Sequence, residues 1–232
     1  MKQLGYSATT MLADLLEIPA PRRRGRPVKS DIDAAVVIRE AALKAFGRAG
    51  FQGTSIADIA RLAGVAKPLV HYHYASKEVL WEAAVNGAVA NLMDELASFR
   101  KGLNALPIQD LLRQISRQLV VFASRHPALV HIVIDETAKG GPRAQWIQVH
   151  FLLPSYAVAK NLLSGIALMQ GPTASPPPVE HIVPIVLGVM NFAFMEAEVI
   201  RKAYGVDVYS DGYIERHGDL LFQFIRGLLV KT

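Results

Sequence analysis

Thr54-Ser55-Ile56-Ala57-Asp58-Ile59-Ala60-Arg61-Leu62-Ala63-Gly64-Val65-Ala66-Lys67-Pro68-Leu69-Val70-His71-Tyr72-His73-Tyr74-Ala75-Ser76-Lys77-Glu78-Val79-Leu80 is the stretch that decides the fold. Thr54 or Ser55 can cap a short helix whose inner face carries Ile56, Ile59, Ala60 and Ala63. Gly64 breaks that helix and Val65 plugs the turn behind it. A second short helix is predicted from about Lys67 to Tyr74, with Pro68 tolerated because it falls in the first turn. Ser76 then caps a long helix that opens Lys77-Glu78 and continues to about Phe99. Upstream, Asp31 or Asp33 can cap a helix with Val37, Ile38, Ala41, Ala42, Ala45 and Phe46 on one face, ended by Gly50. Three helices with a tight glycine turn between the second and third make a helix-turn-helix unit.

Working outward, the pattern is helix after helix. The predicted spans are Pro107 to Arg125, Ala128 to Lys139, Ala144 to Met169, Glu180 to Tyr204 and Ser210 to Val230. Gly102 with Pro107, Pro127, Gly140-Gly141-Pro142, Gly171 to Pro178 and Gly205 to Gly212 separate them. No strand-like run and no internal repeat stands out, so the expected class is all-α. The 232 residues include no cysteine, which removes disulfides and thiolate metal sites and fits a reducing cytoplasm. Asp14 and Glu17 interrupt the apolar residues near the N-terminus, against a signal peptide. The run Ile182 to Met195 is too short to span a bilayer. A soluble, cytoplasmic protein with no membrane partner is expected.

Charge is concentrated in one place. Of 25 basic residues, Arg22, Arg23, Arg24, Arg26 and Lys29 fall between Ala20 and Ser30 with no acid among them, and the other 20 balance the 20 acids. The formal net charge of +5 therefore sits on one short arm beside the helix-turn-helix. Its prolines favour an extended chain, and Arg24-Gly25-Arg26-Pro27 is the kind of basic tract that lies in a narrow, A·T-rich minor groove. Residues 1–20 are weakly amphipathic and are read as a short helix or a tail.

The stretch 54–80 resembles the DNA-binding signature of the TetR (tetracycline repressor) family. The resemblance is carried by the Thr54-Ser55 pair, the Ile59-Ala60 before the Ala63-Gly64-Val65 turn, the aromatic-rich segment Lys67 to Tyr74, and Ser76-Lys77-Glu78. It extends over roughly residues 33–80, with His71 where the family usually has tyrosine and Tyr74 where it usually has phenylalanine. The resemblance implies that Lys67, Pro68, Leu69, His71 and Tyr72 face the DNA groove. Lys67 would reach guanine or a phosphate, Pro68 and Leu69 a thymine methyl, and His71 and Tyr72 base edges or phosphates. Thr54 and Ser55 stand at a helix N-terminus where capping and phosphate binding are compatible, and Lys77 matches the family's phosphate-contacting lysine.

The same resemblance implies a three-part chain: a basic arm over 1–30, a helix-turn-helix domain over 31–76 and a ligand-binding and dimerisation domain over 77–232. Ile185, Val189, Phe192 and Val199 form one apolar row near the C-terminus, and Leu221, Phe224, Ile225 and Leu228 another. Helices this apolar need burial beyond one chain's core, as in the family's homodimer, built from the last two helices. An enclosed apolar pocket for a small hydrophobic or aromatic effector is implied, with His131, Trp146, His150, Tyr156, Asn191 and Glu198 as candidate lining residues. No cofactor or metal is expected. His71 and His73 point to different helix faces, and no phosphate loop, nucleophile elbow or His-Glu metal motif marks an enzyme. The function expected is a dimeric, ligand-responsive regulator, a repressor, on a pseudo-palindromic operator. The alternative is an architectural DNA-binding protein that needs no ligand.

Overall fold

A computed structural model of the chain describes residues 29–100, 106–170 and 178–229. Among them every regular element is helical, as the sequence predicts. The helices are α1 (Lys29–Gly53), α2 (Ile56–Ala63), α3 (Lys67–His73), α4 (Lys77–Arg100), α5 (Ile108–Arg125), α6 (Pro127–Lys139) and α7 (Pro142–Ile147). A π-helical turn, Gln148–Leu152, follows, and then α8 (Leu153–Gln170), α9 (Val179–Met195), α10 (Ala197–Tyr204) and α11 (Asp211–Leu229). The described residues group into two compact units. One runs to Asp94 and includes His126–Ile147; the other takes Glu95–Arg125 and the chain from Gln148. No single described helix is long and apolar enough to cross a membrane.

In the first unit α1 supplies Ile38, Ala41, Ala42 and Phe46 to the core, all buried. Ile59 and Ala60 of α2, Val70 of α3, and Leu80, Trp81, Ala84 and Val85 of α4 complete that interior, while Val37, expected on the inner face of α1, is 44% exposed. Two further helices belong to the same unit: Leu129 and Ile132 of α6 and Ala144 and Ile147 of α7 are buried. Trp81 and Trp146 meet edge to face with ring centroids 5.5 Å apart. The backbones of α1 and α6 come close at Gly47, where a Cβ would lie 2.7 Å from the Ala128 Cα. Only a residue without a side chain fits that crossing.

In the second unit α5 and α11 lie against each other. Gly218 permits the approach, since a Cβ there would meet Arg117 at 2.9 Å. Arg117 donates to both carboxylate oxygens of Asp219, at 2.8 Å and 3.0 Å, and lies 3.4 Å from Glu215. One core cluster joins Val120 and Ala123 of α5 to Met190, Phe194, Val208 and Leu221; another joins Leu112 to Leu163, Ile166 and Phe222.

Three expectations change. α1 begins at Lys29, which puts Asp31 and Asp33 inside the helix rather than at its cap. The helix expected over 144–169 is interrupted by the π-helical turn at Gln148–Leu152. The turn lies just before Pro154, which has no N–H to donate and crowds the preceding turn, so the backbone widens there. The helix expected over 180–204 is broken at Glu196, where φ is −97° and ψ 18°, and its two parts are bent by 63°. Neither proline nor glycine stands at the break. Beyond it Ala197 and Ile200 pack on the cluster of Met190, Phe194, Val208 and Leu221, so tertiary packing overrides helical continuity.

Candidate nucleic-acid interface

Ser55 takes the extended conformation that precedes a helix and caps α2, its hydroxyl oxygen accepting from the Asp58 amide at 3.1 Å. The same hydroxyl donates to the Asp58 carboxylate at 2.6 Å, and Arg61 donates to that carboxylate at 3.0 Å. The Ser55 hydroxyl first, and then Arg61, hold the Asp58 carboxyl below its usual range, so it stays ionised at the positive end of α2. Gly64 ends α2 at φ 68° and ψ 28°, a left-handed conformation that suits glycine, and Val65 donates back to the Ala60 carbonyl at 3.0 Å.

The turn delivers α3, seven residues long, with Pro68 near its start where no N–H is needed. Val70 is buried and anchors the helix, while Lys67, Pro68, His71 and Tyr72 are exposed. At 100° per residue those four occupy one arc of the helix, opposite the anchored side. Tyr72 is 74% exposed, with its ring edge-to-face against His73 at 5.0 Å. Leu69 is half-buried beside this arc. Tyr74, just past the helix, turns inward and donates its hydroxyl to the Ala35 carbonyl at 3.0 Å. Burial pushes its phenol pKa up, which keeps it a neutral donor. Ser76 caps α4 by accepting from the Val79 amide at 3.2 Å.

The remaining DNA-facing candidates divide. Ser55 is exposed, and Lys77, half-buried, holds its ammonium 4.4 Å from the centre of the Phe51 ring. Thr54 is buried, and its hydroxyl points inward at the Gly50 carbonyl (2.8 Å) and the Ala45 carbonyl (3.1 Å). Its side chain braces the end of α1 rather than facing solvent. Arg22, Arg23, Arg24 and Arg26 lie outside the described residues.

The six pocket candidates are not brought together within one unit. His131 is exposed on α6, and Trp146 is half-buried against Trp81, both in the first unit. In the second, His150 is exposed in the π-helical turn and Tyr156 is half-buried on α8. Asn191 is buried on α9, its amide donating to the Leu187 carbonyl at 2.8 Å while its own oxygen has no partner. Glu198 is exposed and paired with Arg201 at 2.8 Å and Lys202 at 3.4 Å. Sequence reading passed over Phe51, Glu136 and Arg143, which meet through the Arg143 guanidinium where α1, α6 and α7 come together. No periodic pattern marks them, because they come from three separate elements.

A sequence model of the bacterial regulatory proteins of the tetR family matches residues 38–84. Over 120 residues the chain is 31% identical to the HTH-type transcriptional regulator RutR of Escherichia coli K12, covering 52% of this chain and 54% of RutR. Over 54 residues it is 48% identical to the HTH-type transcriptional regulatory protein RaaS of Mycobacterium tuberculosis, covering 23% of this chain and 25% of RaaS. The chain thus matches about half the length of the first relative and a quarter of the second. Among solved structures, HlyIIR, a hemolysin II transcriptional regulator, superposes with a TM-score of 0.62 at 22% identity, over 87% of this chain and 99% of that one. A TetR-like transcriptional regulator from Rhodococcus sp. RHA1 gives 0.59 at 21% identity, over 90% and 100%. Those two likenesses establish the fold, and the sequence matches establish the DNA-binding region within it. At residues 38–84 the chain carries a domain that matches the bacterial regulatory proteins of the tetR family.

Proposed function

We propose that the protein is a homodimeric transcriptional repressor, acting in the cytoplasm, whose two α3 helices enter successive major grooves of a pseudo-palindromic operator. The observation that carries this reading is the exposed arc of α3, Lys67, Pro68, His71 and Tyr72, set on a helix anchored from behind by Val70. An ammonium, a proline edge, an imidazole and a phenol together suit base edges, thymine methyls and phosphates. The arginine arm at 22–26 adds a minor-groove or backbone contact.

Dimerisation is supported by apolar side chains left in solvent on the second unit. Ile185 and Phe192 of α9 and Leu220, Phe224 and Leu228 of α11 are all exposed, Phe192 at 57%. Apolar surface on this scale is what a second copy covers, and a two-fold pairing would give the operator its symmetry. A small hydrophobic effector bound among residues 77–232 would shift α4, which begins at Lys77 directly after the reading segment and runs into the second unit. Residues 1–30, 31–76 and 77–232 are then arm, reader and sensor, with α6 and α7 packed in the reader's own unit.

The test is a mobility-shift titration on DNA flanking the protein's own gene, over a salt series with random competitor. A discrete, competitor-resistant complex is expected, lost in Tyr72→Ala while weak binding to random DNA persists. Only salt-sensitive smearing, with no preferred site anywhere in the genome, would replace the regulator with an architectural DNA-binding protein.

A further inference from the structure

We infer that Arg143, on α7 and outside the DNA-reading helices, is a positioning residue for operator recognition, acting through the ring of Phe51. This rests on the regulator reading above. The reading segment α2–α3 enters and leaves at that ring. Phe51 is the third residue before Thr54, and the Thr54 amide donates to the Phe51 carbonyl at 3.4 Å. On the exit side, Lys77 is the first residue of α4 and holds its ammonium 4.4 Å from the same ring. The Arg143 guanidinium lies 3.9 Å from the ring centre, and Phe46 stacks on it with centroids 5.7 Å apart. One buried ring therefore joins both ends of the reading segment to α7.

What holds Arg143 in place is also visible. Its Nε donates to Glu136 at 2.9 Å, and Glu136 is only 2% exposed. A carboxylate taken that far from water requires a paired cation, so Glu136 fixes where the guanidinium can sit. The two residues are brought together by the turn at Gly140 and Gly141, whose φ values of 72° and 86° fold α7 back onto the end of α6. The planar guanidinium then faces an aromatic ring on one side and a carboxylate on another, a combination that arginine serves better than lysine. With the cation removed, the ring loses one of its constraints and α2–α3 gain freedom at both ends. The exposed arc of α3 is left chemically intact but less firmly aimed.

Arg143→Met keeps the apolar stem and deletes the charge; Arg143→Met with Glu136→Gln also removes the stranded carboxylate. Both are compared with wild type and Arg143→Lys by helical circular dichroism, amide hydrogen exchange and titration of operator against random DNA. In the two charge-deleted variants, exchange is expected to quicken in residues 56–73 and not in α5 or α11. Operator affinity is expected to fall roughly tenfold. Random-DNA affinity and the salt slope should hold, and Arg143→Lys, which keeps the charge but not the planar fork, should recover part of the loss. Unchanged exchange and unchanged operator binding in the folded double variant would overturn the inference. So would a salt slope smaller by about one, which would make Arg143 a phosphate contact instead. A wild-type protein without operator preference would fail the regulator reading itself, and that is read separately from the variants.

Discussion

Gly47 and Gly87 allow the same substitution to be run in two environments of one folded unit. Both lie inside helices, α1 and α4, and neither has a positive φ. Changing a helical glycine to alanine restricts the unfolded chain and favours the helix by about 0.5–1 kcal/mol. At position 87 the new methyl meets only the Arg39 side chain, at 3.7–4.0 Å, which is ordinary contact with a flexible group. Gly87→Ala should therefore stabilise by nearly the full amount. At position 47 the methyl lies 2.7 Å, 2.8 Å and 2.9 Å from the Cα, Cβ and O atoms of Ala128. Carbon atoms rest at about 3.5–4.0 Å, so α6 must retreat by roughly 1 Å. Overpacking of this kind costs about 1–3 kcal/mol. Because the propensity gain is common to both variants, that range is also the expected gap between them. Thermal melts at fixed protein concentration should separate Gly87→Ala above Gly47→Ala by ~2–12 °C. Equal upward shifts would refute the reasoning, since they would mean that α1 and α6 do not cross as closely as Gly47 and Ala128 imply.

Two further outcomes are expected in the second unit. The hydrogen bond from Arg117 holds the Asp219 carboxyl below its usual range. A depressed carboxylate stabilises the fold above its unfolded pKa, and the effect is lost as pH falls through the lower folded value. Asp219→Asn should therefore flatten the acid limb of stability below about pH 4, by under ~1 kcal/mol because both partners are some 40% exposed. A urea-denaturation series against pH checks this, and an unaltered acid limb would remove the pair from the account. Phe192→Asp, on the exposed row of α9, should halve the sedimenting mass while leaving helical content intact; an unchanged mass would mean that this row is not the interface.

How much was legible follows from what kind of signal each feature leaves. The reading segment was legible because caps, a left-handed glycine and an inward row are local matters. Ser55, Gly64 and Ser76 act within a few residues of themselves, whereas the outward face of α3 came from the family resemblance and the anchoring Val70 from the structure. The Glu196 break was not legible, because it is made by what Ala197 and Ile200 pack against rather than by a breaker residue. Pro154 stands inside the stretch read as one helix, and its effect appears upstream as a widened turn rather than as an end. The inward hydroxyl of Thr54 depends on where α1 stops. The cluster of Phe51, Glu136 and Arg143 depends on a glycine pair that reverses the chain between two helices, and no sequence periodicity reports such a meeting.

The small residue at position 218 has a consequence on the far side of its helix. With Gly218 seated against Arg117, and Leu221, Phe222 and Ile225 turned the same way into the core, the roll angle of α11 is set from within. Leu220 and Phe224 then look outward because no other rotation satisfies the inner side. In a two-fold assembly each copy meets the same row on its partner, so any misrotation is presented twice. Angular precision at the outer surface is thus stored in a residue that never reaches it.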